Sequence, residues 1–130
     1  MLPAAFVEAL GAQEELIVTS REDGRERSVR AWYVLERPSS LYLFTQSFAL
    51  RATRWRSDPW VRLRVPGGPS VEGTVHLMAA DELDEPLIAA VIERWWMWGA
   101  TTAEGLRRML RDGSHVLVRV DVPESEVRAG

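Results

Sequence analysis

The groups best suited to chemistry in this chain sit in one stretch, LYLFTQSFALRATRWRSDPWVRLRV. There an apolar run ends in Thr45 and passes Ser47 before a helical segment bearing Arg51 and Arg54. Every one of these groups suits an anion. The hydroxyls of Thr45 and Ser47 can donate hydrogen bonds, and the first amides of a helix point free donors at the same place, where the helix dipole also favours negative charge. Arg51 and Arg54, three residues apart, share a helical face. Charge-assisted hydrogen bonds are roughly twice as strong as neutral ones, so a few of them would hold a phosphate monoester. The same pattern also reads as a helix capped by Ser47 with solvated arginines, and the local residues leave both readings open.

Other chemistries find little support. His76 and His115 are the only histidines, they fall in different predicted strands, and no GxSxG or HExxH surrounds either, which argues against a triad or a zinc site. The absence of cysteine removes disulfides, thiolate ligands and cysteine nucleophiles. Asp81, Glu82, Asp84 and Glu85 lack calcium-loop spacing and read as charge at the positive end of the following helix. No Walker-type or GxGxxG loop occurs, against a nucleotide hydrolase or a Rossmann domain. Net charge is −3, and all 16 basic residues are arginine. That balance gives no global field for nucleic acid, although arginine mixed with tryptophan is a composition that can bind single strands. Arginine throughout fits either coding bias or bidentate anion binding. No metal and no nucleic-acid partner are expected.

The elements that must position these residues follow from periodicity. With 130 residues, 46% of them hydrophobic, the expectation is a single domain over residues 1–130 that buries a core without staples. No basic segment followed by an apolar core opens the chain, and no apolar run approaches the roughly 20 residues of a membrane span, so a soluble, cytoplasmic protein without membrane contact is expected. Pro3 starts a short helix with Phe6, Val7 and Leu10 on one face, ended by Gly11. ELIVTS is a strand, and Asp23-Gly24 predicts a hairpin. The returning strand, about Arg27 to Glu36, sends Val29, Ala31, Tyr33 and Leu35 to one face and Ser28, Arg30, Trp32 and Val34 to the other.

A turn at Pro38-Ser39-Ser40 leads into the strand LYLFT, and the spacing of Phe48, Ala52 and Trp55 predicts a helix from Ser47 to Ser57, stopped by Asp58-Pro59. WVRLRV, with Val61, Leu63 and Val65 on one face, turns through PGGP into VEGTVHLMAA as a second hairpin. Leu87, Val91, Trp95 and Trp98 form a helical stripe from Pro86, with Gly99 able to cap its end. Thr101 and Glu104 have capping-box spacing for a further helix carrying Leu106, Met109 and Leu110, closed by Asp112-Gly113. The last strand, HVLVRVDV, faces Val116, Val118, Val120 and Val122 to one side. This order favours an α+β fold with a mainly antiparallel sheet of about six strands, able to close as a small barrel and so hide its edges.

A strand of the form lY..T, a basic residue six positions later and a helix ending before nP.V.l resemble the flavin-phosphate segment of the pyridoxamine 5'-phosphate oxidase-like FMN-binding split-barrel superfamily, including its deazaflavin-dependent members. Thr45, Arg51, Pro59 and Val61 carry that likeness. RSVRAWYVLE is similar to the family's second strand, whose backbone edges the isoalloxazine ring, and VEGTVHLM resembles its central strand. The chain departs from the pattern at Arg30, where many relatives have proline, at Arg51, where lysine is more frequent, and in its VRAG end, which lacks a terminal tryptophan region.

The resemblance implies a six-stranded split β-barrel with flanking helices, working as a homodimer that binds FMN. Thr45, Ser47, Arg51 and Arg54 would lie on the phosphate, and Val29, Arg30, Ala31 and Trp32 beside the ring. It implies hydride or electron transfer to a small organic substrate, with a deazaflavin as the alternative cofactor. The competing expectation is a non-catalytic split-barrel dimer without cofactor, serving as a binding or stress-related module. Trp95, Trp96 and Trp98 cannot share one helical face, because neighbours turn about 100° apart. They read as core (Trp95) with dimer contacts (Trp96 and Trp98), as rings stacking on a flavin, or as a plug in an empty flavin site.

Overall fold

A computed structural model describes residues 2–11, 13–36, 40–46, 49–96 and 101–123. Two hairpins organise the sheet. Asp23 and Gly24, at φ 52° and 76°, turn β1 (Glu15–Glu22) into β2 (Arg25–Trp32), so that Glu22 faces Arg25. Positive φ at both turn positions matches the twist of the flanking strands, which is why Asp-Gly serves here. The second hairpin joins β5 (Trp60–Arg64) to β6 (Ser70–Leu77).

The single strand predicted from Arg27 to Glu36 is in fact two. β2 ends at Trp32, and β3 (Val34–Leu35) begins after Tyr33, which raises the count from six strands to seven. The predicted alternation survives the break: Val29, Ala31, Tyr33 and Leu35 pack in one core, Trp32 and Val34 in another.

With β4 (Leu41–Gln46) and β7 (His115–Asp121), the sheet order is β2-β1-β5-β6-β7-β4-β3, antiparallel at every pair. β2 and β3 stand at opposite ends of this order, yet only Tyr33 separates them in the chain. The sheet must therefore curl until its ends meet, giving an antiparallel half-barrel in an α+β fold. Tyr33 holds that junction. Its hydroxyl lies 2.8 Å from the Leu10 carbonyl and 2.7 Å from that of Gln13, and its own carbonyl accepts from Arg94 Nε at 3.0 Å.

β4 and β7 divide two cores. Leu41, Leu43, Val118 and Val120 point into the barrel with Leu16, Val18, Val61 and Leu63, and the barrel end is filled by Phe6 and Leu10 of α1 (Ala4–Leu10). Tyr42, Phe44 and Leu117 point outward, against Leu87, Ile88, Val91 and Trp95 of α3 (Glu85–Trp95) and Leu106 of α4 (Ala103–Arg111). Burial on both faces explains why LYLFT reads as a continuous apolar run.

Two helix starts differ from the sequence expectation. α2 spans Leu50–Ser57, later than the predicted start at Ser47, and its N-cap is Ala49, which has no side-chain oxygen. Ala52 and Trp55 of this helix bury into the barrel core, while Ser47 and Phe48 lie outside the described residues. α4 is capped by Thr102 rather than Thr101, its Oγ1 accepting from the Gly105 amide at 2.9 Å. The aligned hydroxyl is one residue nearer the helix, where it reaches an amide left free by the first turn. Asp84 caps α3 in the same way through the Leu87 amide at 2.9 Å. The predicted turn residues Pro38 and Ser39, the proposed cap Gly99, Trp98 and the VRAG end also lie outside the described residues. No helix among the described residues is long and apolar enough to cross a membrane.

Candidate functional site

β1, β2, β4, α2 and α3 converge on a cavity of about 420 Å³ lined by Glu15, Arg30, Ala31, Trp32, Phe44, Arg51 and Trp95. The strand register explains the first members. Glu15 stands opposite Trp32 and Ile17 opposite Arg30, so Glu15, Arg30 and Trp32 share the outer face of the β1–β2 pair, whereas Leu16 and Ala31 pack toward the barrel. Phe44 arrives from the outer face of β4. Its ring centroid is 5.4 Å from that of Trp95, tilted by 50°, and 5.3 Å from that of His115, stacked at 11°. These aromatic contacts fix one wall of the cavity. Burial holds the His115 imidazole below its ordinary value, with Asp112 opposing that shift, so the ring beneath Phe44 is neutral at neutral pH.

Arg51 reaches the cavity from the first turn of α2. Among the described residues it has no ion-pair partner, and burial alone pushes its guanidinium below the usual arginine value. A half-buried cation without a counter-charge is a costly arrangement that an incoming anion would relieve. Arg54 is in a different situation. Its Nε donates to Glu22 Oε1 at 3.0 Å, and it lines a separate cavity beside Arg21 and Asp58.

Of the residues singled out from sequence, the structure brings Arg30, Ala31, Trp32 and Arg51 to one cavity. Val29 packs toward the barrel core instead. Thr45 is buried on the face of β4 that carries Leu41 and Leu43, opposite to Phe44, and does not line the cavity. Arg54 is held away by Glu22, and Ser47 lies outside the described residues. Sequence reasoning missed Glu15 and Phe44. Glu15 carried a weak signal as the charged residue just before the apolar run Leu16, Ile17 and Val18, and Phe44 belongs to the second face of LYLFT, which an unbroken apolar run conceals.

No protein-family model and no curated protein matches the sequence. Solved structures match the fold. A Listeria innocua protein provisionally named a pyridoxamine 5'-phosphate oxidase aligns with a TM-score of 0.59 and 15% identity over 91% of this chain and 90% of that one. A FAD-binding protein from Mesorhizobium loti aligns at 0.60 and 17% identity, over 95% of this chain and 91% of its own. An F420 reductase aligns at 0.63 and 16%, over 94% and 96% respectively. The chain thus has the split-barrel fold of the pyridoxamine 5'-phosphate oxidase-like proteins. At such identities the likeness establishes fold, and function must be argued from the site.

Proposed function

We propose that the chain is a flavin-binding oxidoreductase that holds FMN in the Arg51 cavity and works as a homodimer on a small organic substrate. The observation that carries this reading is Arg51 itself, an unneutralised, half-buried guanidinium facing a cavity of about 420 Å³ with aromatic walls. Sites for ring-bearing ligands commonly fall at roughly 300–1,000 Å³, mostly apolar with a few convergent polar groups. The residues fit a flavin phosphate in kind. Arg51, at the start of α2, takes the phosphate. Arg30, Ala31 and Trp32 lie along the ring. A bound flavin supplies the redox chemistry, and the chain binds, orients and excludes water. The likeness to an F420 reductase makes a deazaflavin the alternative cofactor. Trp96, 60% exposed at the end of α3, belongs in this reading to the contact between subunits.

Visible absorbance of the purified protein, followed by titration with FMN, tests the proposal. A flavin band, or tight uptake of added FMN, is expected, and Arg51→Ala should weaken uptake by roughly tenfold or more, the worth of a charge-assisted hydrogen bond. Colourless protein that takes up neither FMN nor F420 would sink the oxidoreductase and leave the non-catalytic dimer.

A further inference from the structure

We infer that Glu15 sets the specificity of this cavity, and that its ligand is dipolar: a planar aromatic ring with an anion at the Arg51 end and a cation or N–H donor at the Glu15 end. The inference rests on the reading above for the location of the site, but not for the identity of the cofactor. Glu15, Arg30 and Arg51 line one cavity, and among the described residues none of the three has an ion-pair partner. Several arginines elsewhere are matched: Arg21 to Asp58 at 3.0 Å, Arg62 to Glu26 at 2.9 Å and Arg119 to Asp121 at 2.7 Å.

The two poles are separate. Glu15 opens β1 opposite Trp32, whereas Arg51 comes from α2, and no carboxylate contributes to the electrostatics of Arg51. The rings of Trp32, Phe44 and Trp95 lie on the same cavity, offering faces and edges to a flat ligand. Arg30, diagonal to Glu15 across the β1–β2 ladder, is exposed. For a simple anion, Glu15 is a handicap, since like charge lowers affinity. For a dipolar ligand it is a second anchor, worth roughly tenfold or more as a charge-assisted hydrogen bond. FMN, with its phosphate and its ring imide N–H, meets this description, and so does any aromatic amine that carries a phosphate.

Titration calorimetry with phenyl phosphate and tyramine phosphate on the full chain separates the possibilities. The wild type should prefer tyramine phosphate by roughly tenfold or more, Glu15→Gln should bring the ratio near one, and Arg30→Ala should keep it. An unchanged ratio in Glu15→Gln overturns the inference, as does failure of either probe to bind. Loss of the preference in Arg30→Ala also overturns it, because Glu15 would then act by neutralising Arg30. Neither probe is a flavin, so failure to bind FMN with the ratio intact removes the flavin reading alone. FMN uptake with no preference between the probes removes this inference alone.

Discussion

Arg51 and Arg54 stand within one turn of α2 and meet different surroundings. Arg54 closes on Glu22 and joins an outer face where charge is matched. On that face Arg21 and Arg62 both lie over the Trp60 ring, at 4.4 and 5.1 Å from its centroid, and each also holds a carboxylate. Arg51 lines a cavity with Trp32, Phe44 and Trp95 and, among the described residues, has no ion-pair partner. Helical spacing assigns both to one side, but a long side chain follows the nearest opposite charge, so shared phase on a helix does not guarantee a shared site. Of these two neighbours, Arg54 is held by a carboxylate of the fold and Arg51 is not.

The largest expected effect is at Phe44, which serves the cavity and the helix-side core together. Phe44 is 2% exposed in the helix-side core and also lines the cavity, so Phe44→Ala should cost about 3–5 kcal/mol in denaturant unfolding. It should weaken FMN binding as well. A variant that lost binding with full stability would show that the cavity wall is independent of the core. Replacing the two arginines by methionine sharpens the comparison further, because the signs should differ. Arg51→Met removes an unmatched half-buried charge and should leave ligand-free stability unchanged or raise it by up to about 1 kcal/mol. Arg54→Met should lower stability by about 0.5–1 kcal/mol, with a double-mutant cycle assigning that loss to Glu22 and with FMN affinity unchanged. Equal effects in both variants would erase the distinction.

The smallest expected effect is in pH dependence. Because His115 is held below its ordinary value of 6.5, the unfolded chain binds that proton first, so stability is full above about pH 6.5 and falls as pH drops toward the lower folded value. His115→Phe should flatten that limb in thermal melts taken from pH 7.5 to about 5. Asp58, held low chiefly by its hydrogen bond from Arg21, and Glu82, held low by the Ala79 amide and then by His76, lose their contributions only below their ordinary values of 3.8 and 4.5. The two windows are therefore separable.

Much of the fold was legible because it rests on short-range rules. Asp23-Gly24 declared its turn, and the faces of β2 and β3 followed from a period of two even across the break at Tyr33. The break itself was hidden, since Tyr33 suits a strand and leaves the ladder only because the sheet must curl there. The start of α2 was placed too early because Ser47 has the chemistry of a cap, whereas the chain caps with Ala49. The cavity was the least legible part. Glu15, Phe44 and Trp95 lie far apart in sequence, and the pairing of Arg54 with Glu22 depends on how α2 docks beside β1, which no local pattern encodes.

Tyr33 has a mechanical consequence. The residue before it, Trp32, walls the cavity, and the helix that grips its carbonyl through Arg94 also carries Trp95, another wall. Two walls of the cavity are thus tied, one through the chain and one through α3, to the clasp that joins the sheet's two ends.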